Sequence, residues 1–165
     1  MQHQYMSRKS ILMGGLEVTR EDDLAASLDT CCGIVLYDGK GLRGLAHAPV
    51  PSEMEHHYRS ALQLPDGYIV TPEQAAKTLL EEMVGKYGAD RTDLHAGIFG
   101  CRFDPIGNAN ALEAKETLHD LRIPVIHSYT RTFYGTMLNS TPEFIAIEPI
   151  NGAAQNLPIT RLPYI

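Results

Sequence analysis

Apolar and polar positions along the chain alternate between short strand-like runs and two helical stretches. From Ile11 to Val18, apolar residues sit among Gly14 and Gly15, which predicts an early strand ending at the charged segment 19–23. Cys31 to Tyr37 is a short apolar run with β-branched members. Asp38-Gly39 follows, then more glycine and Leu42 to Ala48, so the spacing predicts strand, turn, strand. Residues 49–70 carry Pro49 and Pro51, charged residues, His56-His57 and Pro65-Asp66-Gly67, and read as a long loop. Thr71-Pro72-Glu73-Gln74 is a helix start: Thr71 caps, Pro72 suits the first helical position and Gln74 completes a capping box. Ala76, Leu79, Leu80, Met83, Val84 and Tyr87 then form one buried stripe, closed by Gly88. Leu94 to Phe99 reads as a strand. A second helix is expected from Asn108 to Arg122, with Ala111, Ala114, Leu118 and Leu121 facing inward. Ile123 to Tyr129, Thr132 to Leu138 and Phe144 to Glu148 are the last strand candidates. Residues 1–10 read as a polar mobile end and 151–165 as a tail, leaving one domain over 11–150. The order predicts a single α/β (α+β) domain, with helices packed on mixed β-sheets.

Composition narrows the function classes. The chain has 165 residues, 44% of them hydrophobic and 21% charged, enough for one ordinary core. Fourteen Lys and Arg against 20 Asp and Glu give a net charge of −6. That balance argues against nonspecific nucleic-acid binding and against a polybasic membrane surface. The absence of Trp and the four Phe residues argue against a base-stacking platform. No apolar run approaches the roughly 20 residues of a spanning helix. The opening MQHQYMSRKS lacks the apolar stretch of a secretion signal, so a cytoplasmic location is expected. Three cysteines, two of them adjacent, make a poor disulfide framework and point to structural, metal-binding or catalytic thiols.

The best candidate pair is Cys31 with His47. If the two runs form a hairpin, their far ends lie side by side, although the residues are 16 apart in sequence. A thiol beside an imidazole is what nucleophilic acyl chemistry needs: the ring takes the thiol proton and later protonates the leaving amine. Backbone N–H groups around Cys31 could hold a developing oxyanion. On spacing alone, a small packed thiol and a core histidine is the better-supported reading.

The wider segment TCCGIVLYDGKGLRGLAHAPVP resembles the active-site stretch of CheD, the chemoreceptor glutamine deamidase of chemotaxis. That family carries a nucleophilic cysteine, an apolar strand ending in Tyr-Asp or similar, a glycine turn, then Gly-x-x-His and a proline-bearing loop. These fall on Thr30-Cys31, Val35-Leu36-Tyr37-Asp38, Gly44-Leu45-Ala46-His47 and Pro49 to Pro51. Ala76 to Met83 resembles the family's first helix, and Ala96 to Gly100 its central strand and glycine turn. Ile106-Gly107-x-x-Asn110, with Ala114, Leu118 and Ile123-Pro124, resembles its second helix and following strand. The resemblance spans roughly residues 11–148 in the same order. It implies that Cys31 is the nucleophile and Cys32 a packing residue, since alternation turns the two thiols to opposite faces. Cys101 replaces a turn glycine and reads as structural.

Three departures from the family stand out. A threonine six residues before the nucleophile orients the histidine in the family; here that position is Ala25, with Ser27, Asp29 and Thr30 as candidate substitutes. The glycines before the cysteine are replaced by 27–30. The late Asp-x-Gly-Gly segment becomes Ser128 to Phe133. The resemblance implies hydrolysis of glutamine side-chain amides on chemoreceptor cytoplasmic helices, no metal or organic cofactor, and docking to a CheC-type phosphatase. Two alternatives remain: a thiol amidase or transglutaminase on another substrate, and a binding module without turnover that docks receptor or phosphatase. His56-His57 lack a third ligand at metal-binding spacing and read as a solvated loop; His95 and His127 read as strand residues and His119 as exposed. The acidic clusters at 21–23 and 81–82 read as solvated faces.

Overall fold

The computed structural model describes the backbone of residues 8–129, 133–138, 143–150 and 153–158, and the side chains of 9–128. It opens with three strands, β1 (Arg8–Ser10), β2 (Leu16–Thr19) and β3 (Asp23–Leu28). Strands β4 (Cys32–Tyr37) and β5 (Arg43–Ala48) form the antiparallel hairpin expected around Asp38-Gly39. Helices α1 (Glu55–Leu62) and α2 (Pro72–Glu81), strand β6 (His95–Gly100) and helix α3 (Pro105–Asp120) follow. The chain continues through β7 (Val125–Tyr129), β8 (Phe133–Leu138), β9 (Glu143–Ile150) and β10 (Ala153–Pro158).

The described strands make two sheets, in the orders β1-β3-β8-β9-β10 and β2-β5-β4-β6-β7. The second is mixed, because β6 and β7 run parallel. Both faces of this sheet are covered, which is why β4 and β5 are buried at every position and show no polar alternation. One face presents Cys32, Ile34, Leu36, Ala46, Ala48 and Ile98 to the stripes of α2 and α3. The other presents Val35, Tyr37, Leu45 and Phe99 to Leu24, Ala26 and Leu28 of β3. Each large apolar side chain so buried contributes roughly 1.5–3 kcal/mol. The result is a single α+β domain with helices on one side of the central sheet and a second sheet on the other.

Local chemistry sets the helix starts. The Thr71 hydroxyl accepts from the Gln74 N–H at 3.1 Å, with Pro72 opening α2. The Gln74 side chain reaches one residue further than a capping box and accepts from the Val70 N–H at 2.9 Å. Helix α3 starts before the expected Asn108, because Asp104 caps it through the Gly107 N–H at 2.7 Å and Pro105 takes the first position. Four elements lie where the sequence reading places none. Strand β1 pairs with β3 inside the supposedly mobile end, and β10 pairs with β9 inside the supposed tail. Strand β3 buries only Leu24, Ala26 and Leu28, and follows directly on the charged segment 19–23. Helix α1 corrects the long loop over 49–70; it buries no residue and so leaves no apolar stripe to read. Among the described residues no helix is long and apolar enough to cross a membrane.

Candidate active site

The β4–β5 register pairs Gly33 with His47 and Cys32 with Ala48. Cys31, one residue before β4, therefore stands diagonally across from His47 and, by alternation, on the same face of the sheet. That is the face turned towards β3, where Cys31 packs against the Leu28, Val35 and Phe99 cluster. Cys32 points the other way and is fully buried beneath α2 and α3.

His47 is buried, and its Nδ1 lies 3.0 Å from the carbonyl oxygen of Ile11. A carbonyl only accepts, so Nδ1 carries the proton and Nε2 carries the lone pair. Nε2 is buried with no hydrogen-bond partner, the Cys31 thiol included. Burial holds the imidazole below its ordinary pKa, in the neutral form that acts as a base. The segment before β2 grips the residue by its backbone as well. Gly14 N–H donates to the His47 carbonyl at 2.9 Å, and His47 N–H donates to the Gly15 carbonyl at 3.0 Å. Ile11 N–H in turn donates to the Ala25 carbonyl at 2.8 Å.

This geometry corrects the expectation that Ser27 or Thr30 orients the imidazole through a hydroxyl; the backbone carbonyl of Ile11 does so. Alternation in β3 turns Leu24, Ala26 and Leu28 towards the central sheet, and hence Ala25 and Ser27 away from it; Ser27 is exposed. Asp29 is exposed and its carboxylate pairs with Arg102 at 3.0 Å.

The segment that carries Cys31 is tied to the start of α3. The carbonyls of Asp29, Thr30 and Cys31 accept from Arg102 N–H at 2.8 Å, Asn110 Nδ2 at 2.9 Å and Cys101 N–H at 2.9 Å. The second proton of Asn110 Nδ2 goes to the Pro49 carbonyl at 3.1 Å, across the end of the hairpin. Two glycines permit this closeness. A Cβ on Gly100, whose φ is +79°, would lie 2.5 Å from the Cys31 oxygen; one on Gly107 would lie 1.8 Å from the Arg102 oxygen. The Cys31 thiol is pushed up to about 11, by burial first and then by the neighbouring Cys101 and Asp29. Thiol and imidazole therefore rest as a neutral pair.

No family model matches the chain. It is 30% identical over 150 residues to the "Probable chemoreceptor glutamine deamidase CheD" of Lachnoclostridium phytofermentans, covering 79% of this chain and 85% of that one. The chain belongs to the CheD family. A match of this extent takes in the domain and not a single motif.

Around this CheD-family site, α1 supplies a wall that the sequence reading lacks. The hydroxyls of Tyr58 and Tyr68 lie 3.4 Å apart, and Tyr58 O–H donates to Met13 Sδ at 3.4 Å. The Tyr68 ring covers Gly14, where a Cβ would meet it at 2.3 Å. Burial raises the Tyr58 phenol, with smaller contributions from Tyr68 and Cys31, so it stays protonated. Cys101 sits against Cys32 behind the sheet; that contact, ahead of burial, keeps the Cys32 thiol protonated. His56 and His57 are exposed on α1, and His119 is exposed on α3. His95 and His127 flank Tyr37, with ring centres at 5.8 and 6.4 Å. Among the described residues no group of three or more His, Cys, Asp or Glu is placed to hold a metal ion. Of the late segment, 130–132 and the side chains beyond Ser128 lie outside the described residues. The sequence does carry one signal for Asn110: it is a polar residue between Gly107 and Ala114 on the inward face of α3.

Proposed function

We propose that this chain is a cysteine amidohydrolase that converts glutamine side chains of methyl-accepting chemoreceptors to glutamate, with Cys31 as nucleophile and His47 as base. The observation that carries this reading is the His47 ring: Nδ1 is committed to the Ile11 carbonyl, so Nε2 is left as a neutral acceptor on the face that bears Cys31. The family relation supplies the substrate class, since the named relative is a chemoreceptor glutamine deamidase. As sulfur attacks the carboxamide carbon, its proton passes to Nε2 and the carbonyl electron pair moves to oxygen. The imidazolium protonates the departing nitrogen, ammonia leaves and a thioester remains. His47 then takes a proton from water, hydroxide attacks the thioester, and the released thiolate recovers its proton from the ring. These steps are acyl and proton transfers and use no metal or organic cofactor. They require Sγ to close on Nε2 when substrate arrives, a tightening common in such pairs. The chemoreceptor's cytoplasmic helices are the protein substrate, which makes the cytoplasm the place of action. A CheC-type phosphatase is the further partner, and neither nucleic acid nor membrane insertion has a part.

Incubation with a chemoreceptor cytoplasmic fragment, reading every glutamine for the mass gain of deamidation, tests this. Gain with the native chain and none with Cys31→Ala supports it. A second reading, docking without turnover, is favoured by the missing Cys31–His47 hydrogen bond. Stable binding of the fragment with no mass gain selects that reading instead.

A further inference from the structure

We propose that Asn110 is a positioning residue of this site: by holding the Thr30 carbonyl it aims the Cys31 N–H at the oxygen of the amide under attack. The inference deepens the amidohydrolase reading and rests on it for the substrate.

The argument starts from the planar peptide, in which a carbonyl and the next residue's N–H point in opposite directions. The carbonyls of Asp29, Thr30 and Cys31 all accept from α3 or the turn before it. The N–H groups of Thr30, Cys31 and Cys32 therefore all face away from α3. Successive N–H groups on one side of a bend form an anion-binding concavity. Thr30 and Cys31 lie in such a bend, before β4 begins. The Cys31 N–H and the Cys31 sulfur belong to one residue and are close neighbours by covalent geometry. An oxygen on the carbon bonded to that sulfur would sit one bond further out, within reach of the same donor. That is the geometry of an oxyanion hole.

The choice of asparagine follows. Its amide nitrogen has two protons, and both are used, one on Thr30 and one on Pro49. A hydroxyl has one and could hold only one of the two carbonyls. An apolar residue would leave both unpaired in the core, although, Thr117 apart, the rest of this helix face is apolar or small. Asn110 is fully buried, and its Oδ1 has no partner. A position that tolerates an unpaired buried acceptor is held for what its donors do.

The test compares two reactions of Cys31 in the full chain. Alkylation by iodoacetamide needs no oxyanion. A peptide aldehyde shaped like the glutamine side chain does: the S–C bond forms, the carbonyl pair moves to oxygen, and the thiol proton moves to that oxygen through His47. Asn110→Ala is expected to weaken the aldehyde adduct by about tenfold or more and to lower kcat for ammonia release by about 10- to 100-fold. KM and the alkylation rate should stay within about threefold, and Asn110→Ser, with one donor, should fall between. If Asn110→Ala does not fold, Asn110→Ser decides. Equal aldehyde affinity in variant and native chain overturns the proposal. So does a parallel loss of alkylation, which would make Asn110 a purely structural clamp, and so does a native chain that forms no adduct. A native chain that binds the aldehyde but releases no ammonia defeats the amidohydrolase reading alone, and the adduct comparison still decides Asn110.

Discussion

The two flanks of the site are built in different ways. On the base's side, every hydrogen bond to His47 comes from backbone: the Ile11 carbonyl on the ring, and Gly14 and Gly15 on the main chain. On the proposed nucleophile's side, the Thr30 carbonyl is held by a side chain, Asn110, and the carbonyls of Asp29 and Cys31 by a turn that needs glycine at 100 and at 107. A backbone partner survives a change of side chain, whereas a side-chain partner does not. The holder of the ring is therefore tolerant in sequence, although Gly14 beside it must stay glycine, whereas the holder of the Thr30 carbonyl is not. That difference explains how a chain of this family keeps an oriented histidine with alanine at position 25.

Removing the proposed nucleophile should have the strongest consequence. Cys31→Ala should reduce ammonia release to background. Cys31 is only half-buried and lies before β4, so urea unfolding should shift by no more than about 0.5 kcal/mol. An unfolded or still active variant would remove Cys31 from its proposed role.

The protonation states give a second contrast. Burial depresses the imidazole and raises the thiol, so both groups rest neutral at pH 7. With the thiol at about 11, the thiolate fraction grows about tenfold per pH unit below that value, and alkylation of Cys31 should follow with unit slope from pH 7 to 10. A rate already level near pH 7 would show that His47 has taken the proton and that the resting pair is ionic. Stability moves with His47 in the opposite range. A depressed folded pKa contributes fully above the unfolded 6.5 and is lost as pH falls below it, so the melting temperature should drop on acidification more in the native chain than in His47→Gln.

A smaller effect is expected behind the sheet. Cys32 is fully buried against α2 and α3, and Cys32→Ala should cost on the order of 1 kcal/mol in urea unfolding with activity retained. Loss of activity equal to that of Cys31→Ala would mean that both thiols act.

How much of this was legible in sequence follows the same division between side chain and backbone. Asp38-Gly39 announces the β4–β5 hairpin, and alternation then separates Cys31 from Cys32, because both signals lie in residue types. The cap of α2 was legible for the same reason. The Ile11 carbonyl was not: every residue has a carbonyl, and only the fold says which one meets His47. Helix α1 was hidden because none of its residues is buried, and with it the Tyr58–Tyr68 wall. Strand β3 was hidden because it is short, and its inward face is only Leu24, Ala26 and Leu28, directly after the charged segment 19–23. Asn110 lay between: its place on an inward face was readable, but its two carbonyl partners, 80 and 61 residues away in sequence, were not.

The weakest of these changes bears most directly on the contrast between the two flanks. From sequence alone, Ala25→Thr should raise activity, because the family places an orienting hydroxyl there. The structure reverses that expectation. Nδ1 is already bonded to Ile11, and the role of Ala25 is to accept from the Ile11 N–H through its carbonyl, which threonine also has. A threonine side chain at 25 would project from the face of β3 turned away from His47. Ammonia release by Ala25→Thr at equal folded concentration should then match the native chain within about twofold, since geometry that is already held gains nothing from a second holder. A gain of tenfold or more would show that the Ile11 carbonyl holds the ring only loosely. The base's flank would then depend on side chains as the nucleophile's flank does, and the contrast between the two would be lost.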